Sequence, residues 1–247
     1  MRFMVAHKVT KETEAGGPVN QKHVEGMGEL IGSSIKNGVF QNGAGLKPTK
    51  FRSRLTFKGG QILSIKDGPY QGTHELVAGF SMIKVKTKEE AIEWTRRFAQ
   101  VGGDSDIELG LVVEGWDLTG APRPADAPLR YLMLFMADKN AATAPPPSER
   151  AQKEMGALMD EMKKAGVLLW AEGVRPSAEA KRLTFKGGKH TVVDGPFAES
   201  KELISGFSLI NVPTAKDALE WAVRYGTILG DIEVDLLSLY DQAAFSG

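Results

Sequence analysis

Cysteine is absent from the 247 residues, which excludes disulfides, thiol catalysis and thiolate metal sites. Net charge is absent too. The 31 acidic and 31 basic residues cancel, so no global field draws nucleic acid or an anionic membrane. No apolar run approaches the ~20 residues of a membrane span, and the stretch from Met1 to Lys8 lacks the long apolar core of a signal peptide. A soluble cytoplasmic protein is expected, with neither nucleic acid nor membrane as partner. Histidines number only four. His7, His23, His74 and His190 include no pair at metal-ligand spacing, so no metal site is expected. No Gly-x-x-x-x-Gly-Lys-Ser/Thr or Gly-x-Gly-x-x-Gly pattern opens a helix after a strand, and no nucleophile elbow is present. No cofactor is expected.

What the chain does have, it has twice. The heptapeptide Arg-Leu-Thr-Phe-Lys-Gly-Gly at 54–60 returns unchanged at 182–188. Asp67-Gly68-Pro69-Tyr70 returns as Asp194-Gly195-Pro196-Phe197, and Ala91-Ile92-Glu93-Trp94 as Ala218-Leu219-Glu220-Trp221. Two long copies indicate a duplicated domain, since a solenoid needs short periods and at least three units. The proline-rich stretch around residues 119–128 reads as a linker. It divides the chain into residues 1–118 and 129–247.

Each copy shows the same order of signals. A short apolar strand comes first. A helix with an apolar stripe follows; in the second copy Ser148 is its N-cap and Gly166 its stop, with Gly38 in that place in the first. Next come a strand, a hairpin around Gly59-Gly60 or Gly187-Gly188, the Asp-Gly-Pro turn, and another strand. Thr87 with Glu90 and Thr214 with Asp217 match a capping box before a second helix. A final alternating strand runs from Ile107 or Ile232. This is the β-α-β-hairpin-β-α-β order of the ferredoxin-like kind. Each copy is expected to form its own antiparallel sheet with two helices on one face. Strands such as Phe207–Ile210 carry apolar residues toward both sides, so the second face needs cover as well.

The stretch from Asp194 to Glu202, with Gly206-Phe207 behind it and Ala218 to Ala222 after, resembles the YCII-related family with its DGPF motif. Ala165 to Leu168, Gly173 to Pro176 and Ile232 to Val234 add to the resemblance, which covers nearly all of the second copy and most of the first. It implies an α+β fold: two ferredoxin-like βαββαβ domains fused as a pseudo-dimeric α+β barrel. Some relatives carry a His–Asp pair in a cleft. The Asp maps onto Asp194 and Asp67. The nearest His is His23, which Ala151 replaces in the second copy. A few distant relatives act on lactones. Many DGPF-type members are encoded beside sigma factors of the extracytoplasmic-function kind.

Two functions follow as expectations. The first is binding of a small polar or anionic organic molecule near the Asp-Gly-Pro turn, with proton-transfer or lactone-type isomerase chemistry as its catalytic form. Asp194, Asp67, His23 and Lys201 are the catalytic candidates; Glu199, Glu202, Glu172, Glu75 and His74 are the ligand-binding ones. Against this stands a turn whose Asp merely caps backbone N–H groups and a charge cluster that is simply solvated. The second function is a non-catalytic accessory or regulatory protein, linked to a sigma factor by the resemblance. Whether the chain is an enzyme, and whether the fused pair forms a homodimer, stay open.

Overall fold

Twelve strands and six helices form in a computed structural model that describes residues 1–16, 20–70, 76–137, 148–197 and 203–241. In chain order they are β1 (Arg2–Lys8), α1 (Lys11–Ala15), α2 (Gln21–Lys36), β2 (Phe40–Gly45), β3 (Ser53–Lys58), β4 (Gln61–Asp67), β5 (Val77–Val85), α3 (Lys88–Gly102), β6 (Ser105–Leu111), α4 (Gly115–Thr119), β7 (Leu129–Met136), α5 (Glu149–Lys164), β8 (Leu168–Gly173), β9 (Lys181–Lys186), β10 (Lys189–Asp194), β11 (Ile204–Asn211), α6 (Ala215–Leu229) and β12 (Glu233–Ser238). Short 3₁₀ turns at Thr49–Phe51 and Ser177–Glu179 precede β3 and β9. Among the described residues no helix is long and apolar enough to cross a membrane.

Local chemistry explains the boundaries. The Ser148 side chain accepts from Ala151 N–H at the start of α5. Thr214 and Asp217 exchange both bonds of a capping box before α6. At α3 only half of that box forms: Thr87 accepts from Glu90 N–H, while the Glu90 carboxylate reaches Lys86 N–H. Gly38 and Gly166 take φ of 68° and 69° just past α2 and α5, where a side chain would be strained. Gly59-Gly60 and Gly187-Gly188 have positive φ at both positions and join β3 to β4 and β9 to β10 as tight hairpins.

The sheets do not follow the copies. The expectation of one sheet per copy is corrected by the strand order, β10-β9-β12-β1-β11-β2 in one sheet and β4-β3-β6-β7-β5-β8 in the other, with every pairing antiparallel. The first copy contributes β1 and β2 to a sheet completed by β9–β12 of the second. The second copy contributes β7 and β8 to a sheet completed by β3–β6 of the first. Accordingly the chain divides in space into a first unit, Met1–Pro48 with Val174–Gly247, and a second unit, Thr49–Gly173. The physical reason is that equivalent strands are nearly interchangeable. Gly79-Phe80-Ser81-Met82-Ile83 and Gly206-Phe207-Ser208-Leu209-Ile210 offer the same pleat and the same side-chain pattern, so periodicity alone does not choose between them.

Within the first unit β12-β1-β11-β2 keeps the ferredoxin-like order, and the β9–β10 hairpin extends it beside β12. Phe3, Val5, Ile210 and Val212 pack against Leu30 of α2 and against Ala218, Trp221, Ala222 and Tyr225 of α6. The Trp221 indole N–H donates to Ser34 Oγ at 2.9 Å. His7 Nδ1 lies 2.6 Å from Tyr225 Oη. Within the second unit β6-β7-β5-β8 has the same order, and Tyr131, Met133, Ile83 and Val85 pack against α3 and α5. Where the first unit has its His7–Tyr225 pair, the second stacks Phe98 on Phe135 at 4.3 Å. The opposite faces are also buried: Met4, Ala6, Phe207 and Leu209 in one unit, Phe80, Met82, Leu132 and Leu134 in the other.

Candidate functional site

The Asp-Gly-Pro turn is pinned by its glycine and by a hydroxyl upstream. In the second unit Gly68 N–H donates to Arg52 C=O at 3.0 Å, and Tyr70 N–H reaches Thr49 Oγ1. In the first unit Gly195 N–H donates to Ala180 C=O at 3.0 Å, and Phe197 N–H donates to Ser177 Oγ at 3.2 Å. A Cβ on Gly68 would lie 1.8 Å from Thr49 O, and one on Gly195 would lie 1.7 Å from Ser177 O. Only glycine permits that approach. Both Gly-Pro bonds are cis.

The aspartates do something other than expected from the turn. Neither caps it. Asp67 accepts from Lys88 Nζ and from Ser53 Oγ, both at 2.6 Å. The Lys88 and Ser53 hydrogen bonds hold its carboxyl below the usual carboxylate range. Asp194 pairs with Lys181 across the β9–β10 hairpin. Their side chains are 62% and 75% exposed. His23 stands on α2 in the first unit and meets Asn20; Asp67 belongs to the second unit. Glu172 is buried on β8, opposite Phe80. Glu199, Lys201, Glu202, His74 and Glu75 lie outside the described residues.

What the turn does position is its fourth residue. The Tyr70 ring lies under the Arg54 guanidinium, 5.1 Å from Cζ to ring centre. Arg54 Nη2 donates to Glu108 Oε2 at 3.3 Å, and Arg52 Nη1 donates to Glu108 Oε1 at 3.1 Å. All three charged residues are buried, Glu108 completely. The strand pattern explains this. On β3, Leu55 and Phe57 face the helices, so Arg54 faces away. On β6, Glu108 sits directly opposite it.

The first unit builds the counterpart. Phe197 lies 4.6 Å from the Arg182 guanidinium. Arg182 Nε and Nη2 bind Asp235 Oδ1 and Oδ2 at 2.8 and 3.2 Å, a two-pronged pair. Lys8 Nζ reaches Asp235 Oδ2 at 2.6 Å, and Glu233 reaches Arg182 Nε at 3.3 Å. Lys8 comes from the first copy and Asp235 from the second, so strand exchange assembles this cluster. Sequence reasoning misses these residues. The available signal was an arginine at one place in both heptapeptides, with an acid facing it on each closing strand.

Asp235 makes a pH prediction. Burial pushes its pKa up, but Lys8 and Arg182 outweigh burial and hold the carboxyl below its usual value. A depressed folded pKa contributes stability that is present above the unfolded value of about 4. That contribution is lost as pH falls through the folded value. Asp235→Asn should therefore lower stability at pH 7. The gap between variant and wild type should shrink as pH drops below about 4. Urea midpoints from pH 7 to pH 3 check this; parallel curves would refute it.

Arginine stacked on an aromatic ring and held by a buried carboxylate can bind oxyanions through its planar donors. Comparison with known proteins gives the setting. The family model for the YCII-related domain matches residues 129–229. An uncharacterised protein of Rhizobium meliloti (strain 1021) is 31% identical over 115 residues, covering 44% of this chain and 93% of that protein. A relative matched over nearly its full length, together with the domain match, establishes that the chain belongs to the YCII-related family.

Proposed function

We propose that the protein binds a small polar or anionic organic molecule beside the Asp-Gly-Pro turn. One observation carries this reading: in both units the turn presses an aromatic ring onto an arginine that a buried carboxylate and a second cation hold in place. The recognising groups are then Arg54 and Arg52, or Arg182 and Lys8, rather than the aspartates of the turn. Proton-transfer or lactone-type isomerase chemistry at Asp194 or Asp67 is a further step with less support, because both carboxylates are exposed and ion-paired. In the same proposal the chain is two YCII-like sequence copies, residues 1–118 and 129–247, fused with exchanged strands as a cytoplasmic pseudo-dimeric barrel. The common strand order of the units, the buried second faces of the sheets and the half-length relative support it.

The test is a thermal-shift screen of small carboxylates and lactones on wild type, Arg54→Lys and Arg182→Lys. Lysine keeps the charge but loses the planar donor fork. A ligand at a hundred times its Kd adds about 2.7 kcal/mol, which at about 2–4 °C per kcal/mol for this chain length is readily seen. One of the two variants should lose the shift. Equal shifts in all three proteins, or none in any, would refute the proposal.

A further inference from the structure

The two clusters are not equally complete, and the difference points to a ligand. In the first unit the aromatic is Phe197, which has no hydroxyl, and Glu233 is long enough to bind Arg182. In the second unit the same places hold Tyr70 and Asp106. The Tyr70 hydroxyl is buried beside the Glu108 carboxylate, which joins burial in raising its pKa, but it makes no hydrogen bond of ordinary geometry with a described residue. Asp106 Oδ1 is likewise buried with no hydrogen-bonding partner among the described residues. Asp106 stands two residues before Glu108 on β6 and so shares its face of the sheet. Buried polar atoms in native proteins are almost always satisfied. Here the phenol beside Arg54 and the Asp106 oxygen two residues before Glu108 on β6 are left without such a partner, the first an O–H donor, the second an acceptor.

Resting on the function proposed above, we infer that the working site lies in the second unit and takes a small carboxylate bearing a hydroxyl group. Arg52 and Arg54 attract the ligand carboxylate. The Tyr70 O–H donates to the ligand hydroxyl oxygen, and Asp106 accepts the ligand hydroxyl proton. The first-unit cluster, closed by Glu233 and lacking the phenol, is the structural version of the same design.

The experiment is calorimetric titration of wild type, Tyr70→Phe, Asp106→Asn and Asp106→Glu with two ligand pairs, lactate against propionate and malate against succinate. Each pair differs by one hydroxyl. Wild type should prefer the hydroxylated member about tenfold, the worth of about 1.4 kcal/mol of hydrogen bonding. Tyr70→Phe and Asp106→Asn should each erase most of that preference. Asp106→Glu, which copies Glu233, should close the site and lose both members with no drop in melting temperature. Binding of all four ligands without preference, or a preference that survives Tyr70→Phe and Asp106→Asn, overturns this inference and leaves the general reading standing. No binding of any carboxylate overturns both.

Discussion

Glu108→Ala is expected to cost about 3–5 kcal/mol, the usual result of removing one partner from a buried ion cluster. Glu108 is fully buried, and both Arg52 and Arg54 donate to it. The truncation leaves two buried guanidiniums facing a methyl group in place of their shared carboxylate. A domain is stable by only about 5–15 kcal/mol, so the loss is a large share of the total. It should appear in urea unfolding as a lower midpoint. The informative companion is the apolar replacement Arg52→Met, Arg54→Met, Glu108→Leu. Buried ion clusters replaced by well-packed apolar groups are often neutral or stabilising. Much of the Glu108→Ala loss should therefore be recovered, together with complete loss of ligand binding. A cluster that stability does not require, yet that sits beside the turn in both units, is the pattern expected of a binding device. If the apolar triple variant is as unstable as Glu108→Ala, the cluster is there for stability.

Gly195→Ala is expected to destabilise by about 3 kcal/mol, the upper end of ordinary overpacking. The new Cβ would lie 1.7 Å from the Ser177 carbonyl oxygen. The obstacle is backbone, which cannot rotate away as a side chain can. Gly68→Ala meets Thr49 O at 1.8 Å and should behave alike. The control is Gly156→Ala in α5, where nothing lies within 4 Å of the added carbon; there alanine should gain up to about 1 kcal/mol from lower backbone entropy cost. The substitution at Gly195 should also move Phe197 off Arg182, so indifference of the first-unit cluster to it would show that the turn does not position the ring. Urea midpoints for the three variants measure the order.

These expectations mark how far the sequence reaches. Caps at Ser148 and Thr214, helix stops at Gly38 and Gly166, and both glycine hairpins were legible because each rests on local chemistry within a few residues. The exchange of strands was not legible. It depends on whether Arg2 faces Lys84 or Asn211, and the copies are too alike for a pattern to decide. The site was half legible. The Asp-Gly-Pro turn drew notice through its aspartate, but its glycine and its aromatic are the parts that act on the cluster. Arg54 and Glu108 are 54 residues apart and meet only through the register of β3 against β6, which sequence spacing does not reveal. Tyr70 and Asp106 gain meaning only by comparison with Phe197 and Glu233, once both pairs have been placed.

The exchanged strands hold Lys8 against Asp235 and define both units, and the lack of cysteine makes them open to a clean test. Cysteine pairs placed at directly facing strand positions lie within disulfide reach. Arg2 faces Asn211 and Lys84 faces Arg130. On mild oxidation, Arg2→Cys with Asn211→Cys and Lys84→Cys with Arg130→Cys are expected to close intramolecular bridges, read by mass spectrometry of the digested monomer. Bridges formed instead by Arg2→Cys with Lys84→Cys and by Arg130→Cys with Asn211→Cys would mean that each copy keeps its own strands, and would contradict the architecture on which both clusters depend.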